Sequence, residues 1–372
     1  AKVVPGDLDI RLENSITKVE KEMWNNLMGA HGVMDWDGLL FLENCFQGNN
    51  LKEHNWEFRY LIIRDGKGKP ILATFMTLGL WKDDMLAKES ISKTLEQTRK
   101  YDPYHLTSRA LSLGSLFTEG NHLYLDRKHP LKDRALNILM WTLETLGHKM
   151  GAKMTVLRDF GPDEELGKFF KDQGFVRIQM PNSCAVHLTG RMDVETYFSQ
   201  LSVRNRRHFR KEILAFEPEF QVAILASCHG EQLQQLIALY GNVHRNNLGL
   251  NTFSFPQRVF EAMSDNPQWE FIILTLKSSP QTPIGAMFCY KNQNKTYVPA
   301  FVGLDYTYVT SHYTYRQLLC QTIKRAIAQG FIHIDFGLTA SFEKRKLGAE
   351  VKERFAYVQA SDNYVLELLG TM

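Results

Sequence analysis

The strongest constraint on this chain is that parts of it occur twice. Residues 55–75, NWEFRYLIIRDGKGKPILATF, lie without a gap over residues 268–288, QWEFIILTLKSSPQTPIGAMF, matching at Trp-Glu-Phe, at Pro-Ile, at Ala and at the final Phe. Each copy reads as strand, polar turn and strand, because β-branched and aromatic runs flank Asp65-Gly66 in the first and KSSPQTP in the second. A second match sets MGAKMTVLRDFGPDEELGKFFKDQGF beside QGFIHIDFGLTASFEKRKLGAE. In both, a helix ends on glycine (Gly151, Gly330) and a short apolar strand runs to Asp-Phe-Gly (159–161, 335–337). A Lys-bearing helix then leads to another glycine (Gly174, Gly348). The two matches are offset by 213 and 176 residues, so the first copy carries 37 extra residues. The polar stretch WKDDMLAKESISKTLEQTRKYDP, around residues 81–103, is the natural insertion.

A repeat of this kind predicts an α/β (α+β) fold built twice, each unit a mixed sheet flanked by helices. The order in each half is strand, strand, further strand, helix, strand, helix, strand. In SHYTYRQLLCQTIKRAIAQG, Leu318, Leu319, Thr322, Ile323, Ala326 and Ile327 recur at helical spacing, with Lys324, Arg325 and Gln329 facing away. The expected domains are 1–190 and 191–372. They join near HLTGRMDVETYFSQL, where a strand ends at Gly190 and Asp193 caps the next helix. Two domains also suit a chain of 372 residues.

Composition narrows the function. Lys and Arg number 44 against 41 Asp and Glu, a balance unlike that of a general DNA or membrane-surface binder, so any anion site is local. Apolar runs such as FIILTL and ALNILMW are too short to span a bilayer. Five cysteines, an odd number without a C-x-x-C pair, argue against a disulfide framework or a zinc site and fit a reducing cytosol. The chain starts at Ala1, as a processed product or a piece of a longer protein would. No nucleophile elbow, Walker loop, G-x-G-x-x-G or H-E-x-x-H motif is present.

One local concentration of charge stands out. SVRNRRHFRKE, residues 202–212, folds as a helix with Phe198, Phe209, Ile213 and Phe216 in one stripe and Arg204, Arg206, Arg207, Arg210 and Lys211 opposite. A solvated face is the plain reading. No acid interrupts the run before Glu212, however, and an arginine fork suits a phosphate or carboxylate. The second constellation is Asp335 and Lys344 with His312, Tyr313 and His333. Asp335 lies at the carboxyl end of a short strand, where open α/β sheets form crevices, and a carboxylate, His or Tyr there could take the proton of an amine nucleophile. Lys344 would stabilise an oxyanion or a phosphate. The plain alternatives are a helix cap for Asp335, a surface lysine for Lys344, and packing for His312 and Tyr313. Asp159 is the first-half counterpart, but no lysine follows it at the spacing of Lys344, so the second half is the expected working one. Clusters such as YTYVTSHYTY and LNTFSFPQRVF could wall an acyl channel, with His244, Arg245 and Asn246 facing a cleft between domains.

These motifs carry a family resemblance. The double unit, LSVRNRRHFRKE at the opening of the second half, DFGLTASFEKRKLG, and the early MWNNLMGAHGVMDWDGLLFLENC resemble the tandem GNAT-type N-acyltransferases. Within these the likeness is to the Fem peptidyltransferases and the peptidoglycan biosynthesis/recognition and BioF2-like proteins. The resemblance implies two tandem GNAT-like domains and basic side chains that hold substrate phosphates. It also implies an amide-forming reaction between an acyl or aminoacyl donor and a small-molecule amine acceptor, in cell-envelope or amino-lipid metabolism. Neither half has the Q/R-x-x-G-x-G/A loop that cradles the coenzyme A pyrophosphate, since the corresponding stretches read YLDRKHPLKDRAL and LDYTYVTSHYTYRQLL. The implied co-substrate is therefore acyl-CoA or, as in Fem relatives, an aminoacyl-tRNA, with no resident cofactor. Two other readings stay open: a non-catalytic module that binds a phosphorylated precursor, and an accessory domain of, or partner to, a larger biosynthetic enzyme.

Overall fold

The computed structural model describes residues 7–189, 192–293 and 295–370. Its framework is one continuous sheet, thirteen strands among the described residues. The first half contributes β1 (Leu8–Glu13), β2 (Glu57–Asp65), β3 (Pro70–Lys82), β4 (Thr107–Leu113), β5 (Leu123–Leu125), β6 (Met154–Phe160) and β7 (Val176–His187). The second contributes β8 (Phe220–Leu225), β9 (Trp269–Leu276), β10 (Ser279–Asn292), β11 (Thr296–Leu304), β12 (His333–Leu338) and β13 (Glu350–Ala360). The repeat is visible directly: β2–β3 and β9–β10 are antiparallel hairpins, with buried Trp56 just before one and buried Trp269 opening the other. The ungapped alignment does not carry through to register. Phe75 faces Tyr60, whereas its counterpart Phe288 faces Phe271, because β10 absorbs extra residues in bulges between Ser279 and Gly285.

Each half then makes one parallel pair, β4 with β6 and β11 with β12. A parallel neighbour needs a crossover, and the helices Lys132–Met150 and Thr314–Ala328 supply it. The turn glycines behave as the sequence implied: Gly151, Gly174, Gly330 and Gly348 all have positive φ. Between β3 and β4 lies a long connection carrying the helix Glu89–Arg99, where β10 passes to β11 in a short turn. Buried charge fixes that helix: Arg99 donates to Asp84 at 2.6 Å, and Asn251 of the second half donates to Asp84 and Glu96, both at 2.9 Å.

The strand order is β1-β2-β3-β4-β6-β13-β7-β12-β11-β10-β9-β8, with β5 beside β3. The last strand of each half has therefore crossed over. Strand β13 from the second half lies against β6 of the first, and β7 from the first lies against β12 of the second. The two meet antiparallel at the centre, from Glu350 opposite Ala185 to Val358 opposite Val176. A cut at 190/191 is a division of sequence that the hydrogen-bond ladder does not follow. Gly190 itself lies outside the described residues. One aromatic core is also shared, with Phe46 stacked on Trp56 at 3.6 Å and Phe117 edge-on to Trp269 at 6.1 Å.

Candidate active site

The two parallel pairs differ. Strands β4 and β6 stay in register over Ala110–Leu113, but β11 and β12 pair only at Thr296–His333 and Tyr297–Ile334 and then part. A cavity of about 200 Å³ opens there, walled by Val298–Val302 of β11 and Asp335–Thr339 at the carboxyl end of β12. Tyr240, His244 and Phe255 close it on the apolar side, and Glu119 and Arg158 reach it from the first half. The shared sheet edge makes this a site between halves.

Asp335 sits where the sequence placed it, at the end of β12, but it caps no helix. Its Oδ1 accepts from Gly337 N–H at 3.0 Å, and its Oδ2 from Gly32 N–H of the first half at 3.1 Å. Burial holds the carboxyl above its ordinary range, against those two donors, His31 and Lys344. The loop that follows is strained: Gly337, Thr339 and Ala340 have φ of 66, 64 and 48°, and a β-branched residue at such an angle is a real outlier.

Lys344 explains how the loop is held. Only 5% exposed, its Nζ donates to the carbonyls of Phe336, Leu338 and Thr339 at 2.7, 3.0 and 2.9 Å. An ammonium has three hydrogens, and all three are used. Lys344 is therefore neither a surface lysine nor a donor left over for an oxyanion. It clamps the cavity wall, and burial lowers its pKa.

The residue that sequence reading missed is Glu119. Its Oε2 accepts from Leu338 N–H at 2.7 Å, so consecutive amides of the β12 exit bind two carboxylates, Asp335 and Glu119. Burial pushes Glu119 up to about 7, the Asp159 charge adds to the rise, and Arg158, Leu338 N–H and Lys344 oppose it. A Cβ at position 337 would lie 2.0 Å from Glu119 Oε2, so the Gly337 of Asp-Phe-Gly is needed for the carboxylate to approach. The only signal was an acid-glycine pair, Glu119-Gly120, in the loop after an apolar strand. Below it, Arg158 and Asp159, each 2% exposed, pair at 3.1 Å. Arg158 also donates to Thr118 O, and Asp159 accepts from Gly120 N–H at 2.8 Å.

The other expected residues lie elsewhere. Arg204, Arg207 and Arg210 are exposed on the helix Val203–Phe209 and its continuation, opposite buried Phe198, Phe209 and Ile213. Arg206 donates to the carbonyls of Ser199 and Leu201 at 2.9 and 2.7 Å, so its charge tethers the preceding helix end. Arg206 and Arg210 line a different groove with Phe198, Leu214 and Lys324, and none of the four lines the Asp335 cavity. His312 pairs with Glu219 at 3.3 Å and packs on Phe216 and Phe220. Tyr313, at φ 53°, packs on Phe216 with Arg316 over its ring. Neither lines the cavity, because both rings pack on Phe216 beside the left-handed turn at Tyr313; Tyr315 lines it instead. His244 does reach it, while Arg245 donates to Asn242 at the surface.

Residues 203–345 match the family model described as acetyltransferase (GNAT) domain. The architecture is similar to that of FemX, with a TM-score of 0.53 at 12% identity over 88% of this chain and 97% of that one. A tandem GNAT protein from the clavulanic acid biosynthesis pathway gives 0.53 at 10% identity over 96% and 99%. The fold is that of a tandem GNAT protein. No curated protein matches the chain. The domain match places residues 203–345 among acyl-transferring enzymes, so N-acyl transfer is the general activity class. Among the described residues no helix is long and apolar enough to cross a membrane.

Proposed function

We propose that this protein forms an amide between an acyl or aminoacyl donor and a small-molecule amine, at the cavity between splayed β11 and β12, with Glu119 as general base. The observation that carries this is the Glu119 carboxyl, pushed up to about 7 at the wall of that cavity. A base poised near the working pH takes an amine proton most effectively. Asp335 and Lys344 are positioning residues: the first ties Gly32 to Gly337, and the second holds the strained loop on which Glu119 rests.

The donor is an acyl thioester or an aminoacyl ester. What supports an anchor other than a pyrophosphate loop is the start of the helix Thr314–Ala328. It lacks glycine, and its Arg316 is already engaged by Glu343 at 2.7 Å and by Glu212. Mass spectrometry after incubation with mixed acyl-CoAs, charged tRNAs and a pool of amines identifies the substrate pair. With that pair, kcat/KM is expected to rise with pH through about 7 and level off, since the ionised form is the base. Glu119→Gln should lower kcat about 100-fold or more. Full turnover in Glu119→Gln, or no amide from any pair, refutes the reading.

A further inference from the structure

The lining of the Asp335 cavity falls into two clusters. Glu119, Arg158, Asp335 and Lys344 gather at the β12 exit, where hydrogen bonds tie them to Leu338 N–H, Thr118 O, Gly337 N–H and Phe336 O in turn. Phe117, Tyr240, Phe255 and Phe301 form the second cluster. Phe117, Phe255 and Phe301 meet pairwise at ring-centroid distances of 4.9, 5.2 and 5.3 Å, and Tyr240 lies 5.9 Å from Phe301. Three of these contacts, all to Phe301, are edge to face at 69, 73 and 86°, so the rings spend their faces on one another rather than offering a cage to a cation. Among the described lining residues, no Asp, Glu, Lys or Arg belongs to this cluster. The polar atoms beside it are engaged: Tyr240 Oη accepts from Phe255 N–H at 3.2 Å, and His244 Nε2 donates to Thr252 O at 2.8 Å.

A pinned loop bounds the aromatic side. Residues 247–256 form neither helix nor strand, yet Leu250, Thr252 and Phe255 line the cavity. The extra segment of the first half grips this loop. Asn251, 1% exposed, donates to Asp84 and Glu96, and Phe253 packs on Tyr104 at 6.2 Å. His54, also of the first half, donates Nε2 to Ser254 O at 2.9 Å. The cavity so bounded admits a tail of limited size. Its volume of about 200 Å³ holds about seven groups the size of a water, at roughly 30 Å³ each.

We propose that the donor's acyl group ends in an uncharged, apolar tail of about six to eight carbons, seated against Phe117, Tyr240, Phe255 and Phe301. This rests on the acyl-transfer reading of the same cavity, with the reactive carbonyl toward Glu119. A succinyl carboxylate or a lysyl ammonium would lose its water among rings and engaged dipoles and find no ionic partner there. An octanoyl thioester and a phenylalanyl ester share the chemistry that fits, and binding tells the two sources apart.

The test is calorimetric titration of the full chain with N-acetylcysteamine thioesters of butyrate, octanoate, dodecanoate and succinate, and with the methyl esters of phenylalanine and lysine. Binding needs no turnover. Each methylene from butanoyl to octanoyl should tighten binding about three- to fourfold, on the order of 100-fold in all, and dodecanoyl should gain nothing further. Octanoyl should bind at least about 10-fold more tightly than succinyl, and phenylalanine ester than lysine ester. The tighter of octanoyl thioester and phenylalanine ester identifies which donor carries the tail. Phe255→Ala and Phe301→Ala, checked by thermal melts, should let dodecanoyl bind more tightly than octanoyl, and Phe255→Leu gives a smaller shift in the same direction should either alanine variant fail to fold. Affinity independent of chain length, no binding of octanoyl or phenylalanyl, succinyl or lysyl binding as tight as theirs, or an unchanged length limit in every folded variant overturns the proposal. Amide formation with equal kcat/KM from short and apolar acyl groups would overturn it while leaving acyl transfer intact. Length-limited binding without product from any amine would do the reverse.

Discussion

Glu119 shows how one residue can work against the fold that holds it. Its native pKa of about 7 exceeds its ordinary value of 4.5, so the folded state holds the proton more tightly than the unfolded chain. Its contribution to stability is therefore fully present below about 4.5 and is lost as pH rises through about 7. Glu119→Gln, which can still accept from Leu338 N–H, should melt higher than the wild type at pH 8 and nearly the same at pH 4.5. An equal gain at both pH values would show that the charge is not what strains the site. Lys344 works the other way. Replacing it with Met leaves three inward-facing carbonyls without a donor, and the expected loss is about 2–3 kcal/mol in denaturant unfolding. A loss below about 0.5 kcal/mol would reject the clamp.

At the scale of elements, the helix Val203–Phe209 separates what periodicity tells from what it leaves out. Part of its buried side was legible, because Phe209 and Ile213 are four residues apart and both are buried, but Phe198 lies on a separate helix, Val194–Ser199, and joins them by stacking on Phe209 at 4.1 Å. Which arginines are free was not, because the carbonyls that receive Arg206 come from the turn before the helix. Arg206→Ala should cost about 1 kcal/mol, while Arg204→Ala and Arg207→Ala, at exposed positions, should change stability by less than about 0.5 kcal/mol. Urea melts of the three variants decide it, and equal values would place Arg206 back on a purely solvated face. The loop after β12 makes the same point. Asp335 was expected at a strand end, and it is there, but its second partner is Gly32, distant in sequence.

For the whole molecule, the crossed strands have a mechanical consequence. Strand β13 is hydrogen-bonded on both edges, to β6 and to β7, so neither half can complete its sheet alone. Residues 1–190 expressed without the rest would expose the edges of β6 and β7, and such edges associate. The two pieces should be unfolded or aggregated when separate and should regain near-native circular dichroism when co-expressed. A monomeric, cooperatively melting 1–190 would show that the exchange is dispensable.

By itself the sequence determined the elements and their repetition. Strand and helix periods, turn glycines and the doubled Trp-Glu-Phe and Asp-Phe-Gly runs are local or pairwise properties, and they are enough for a mixed sheet built twice. Tertiary structure alone decided which half receives each final strand, because the pairing of β13 with β6 and of β7 with β12 joins segments distant in sequence. It also decided which charges are free. Lys344 and Arg206 look available in sequence and are spent on backbone carbonyls, while the Glu119 carboxyl is pushed up only because distant segments bury it. Desolvation depends on everything packed around a group, and no spacing along the chain records it.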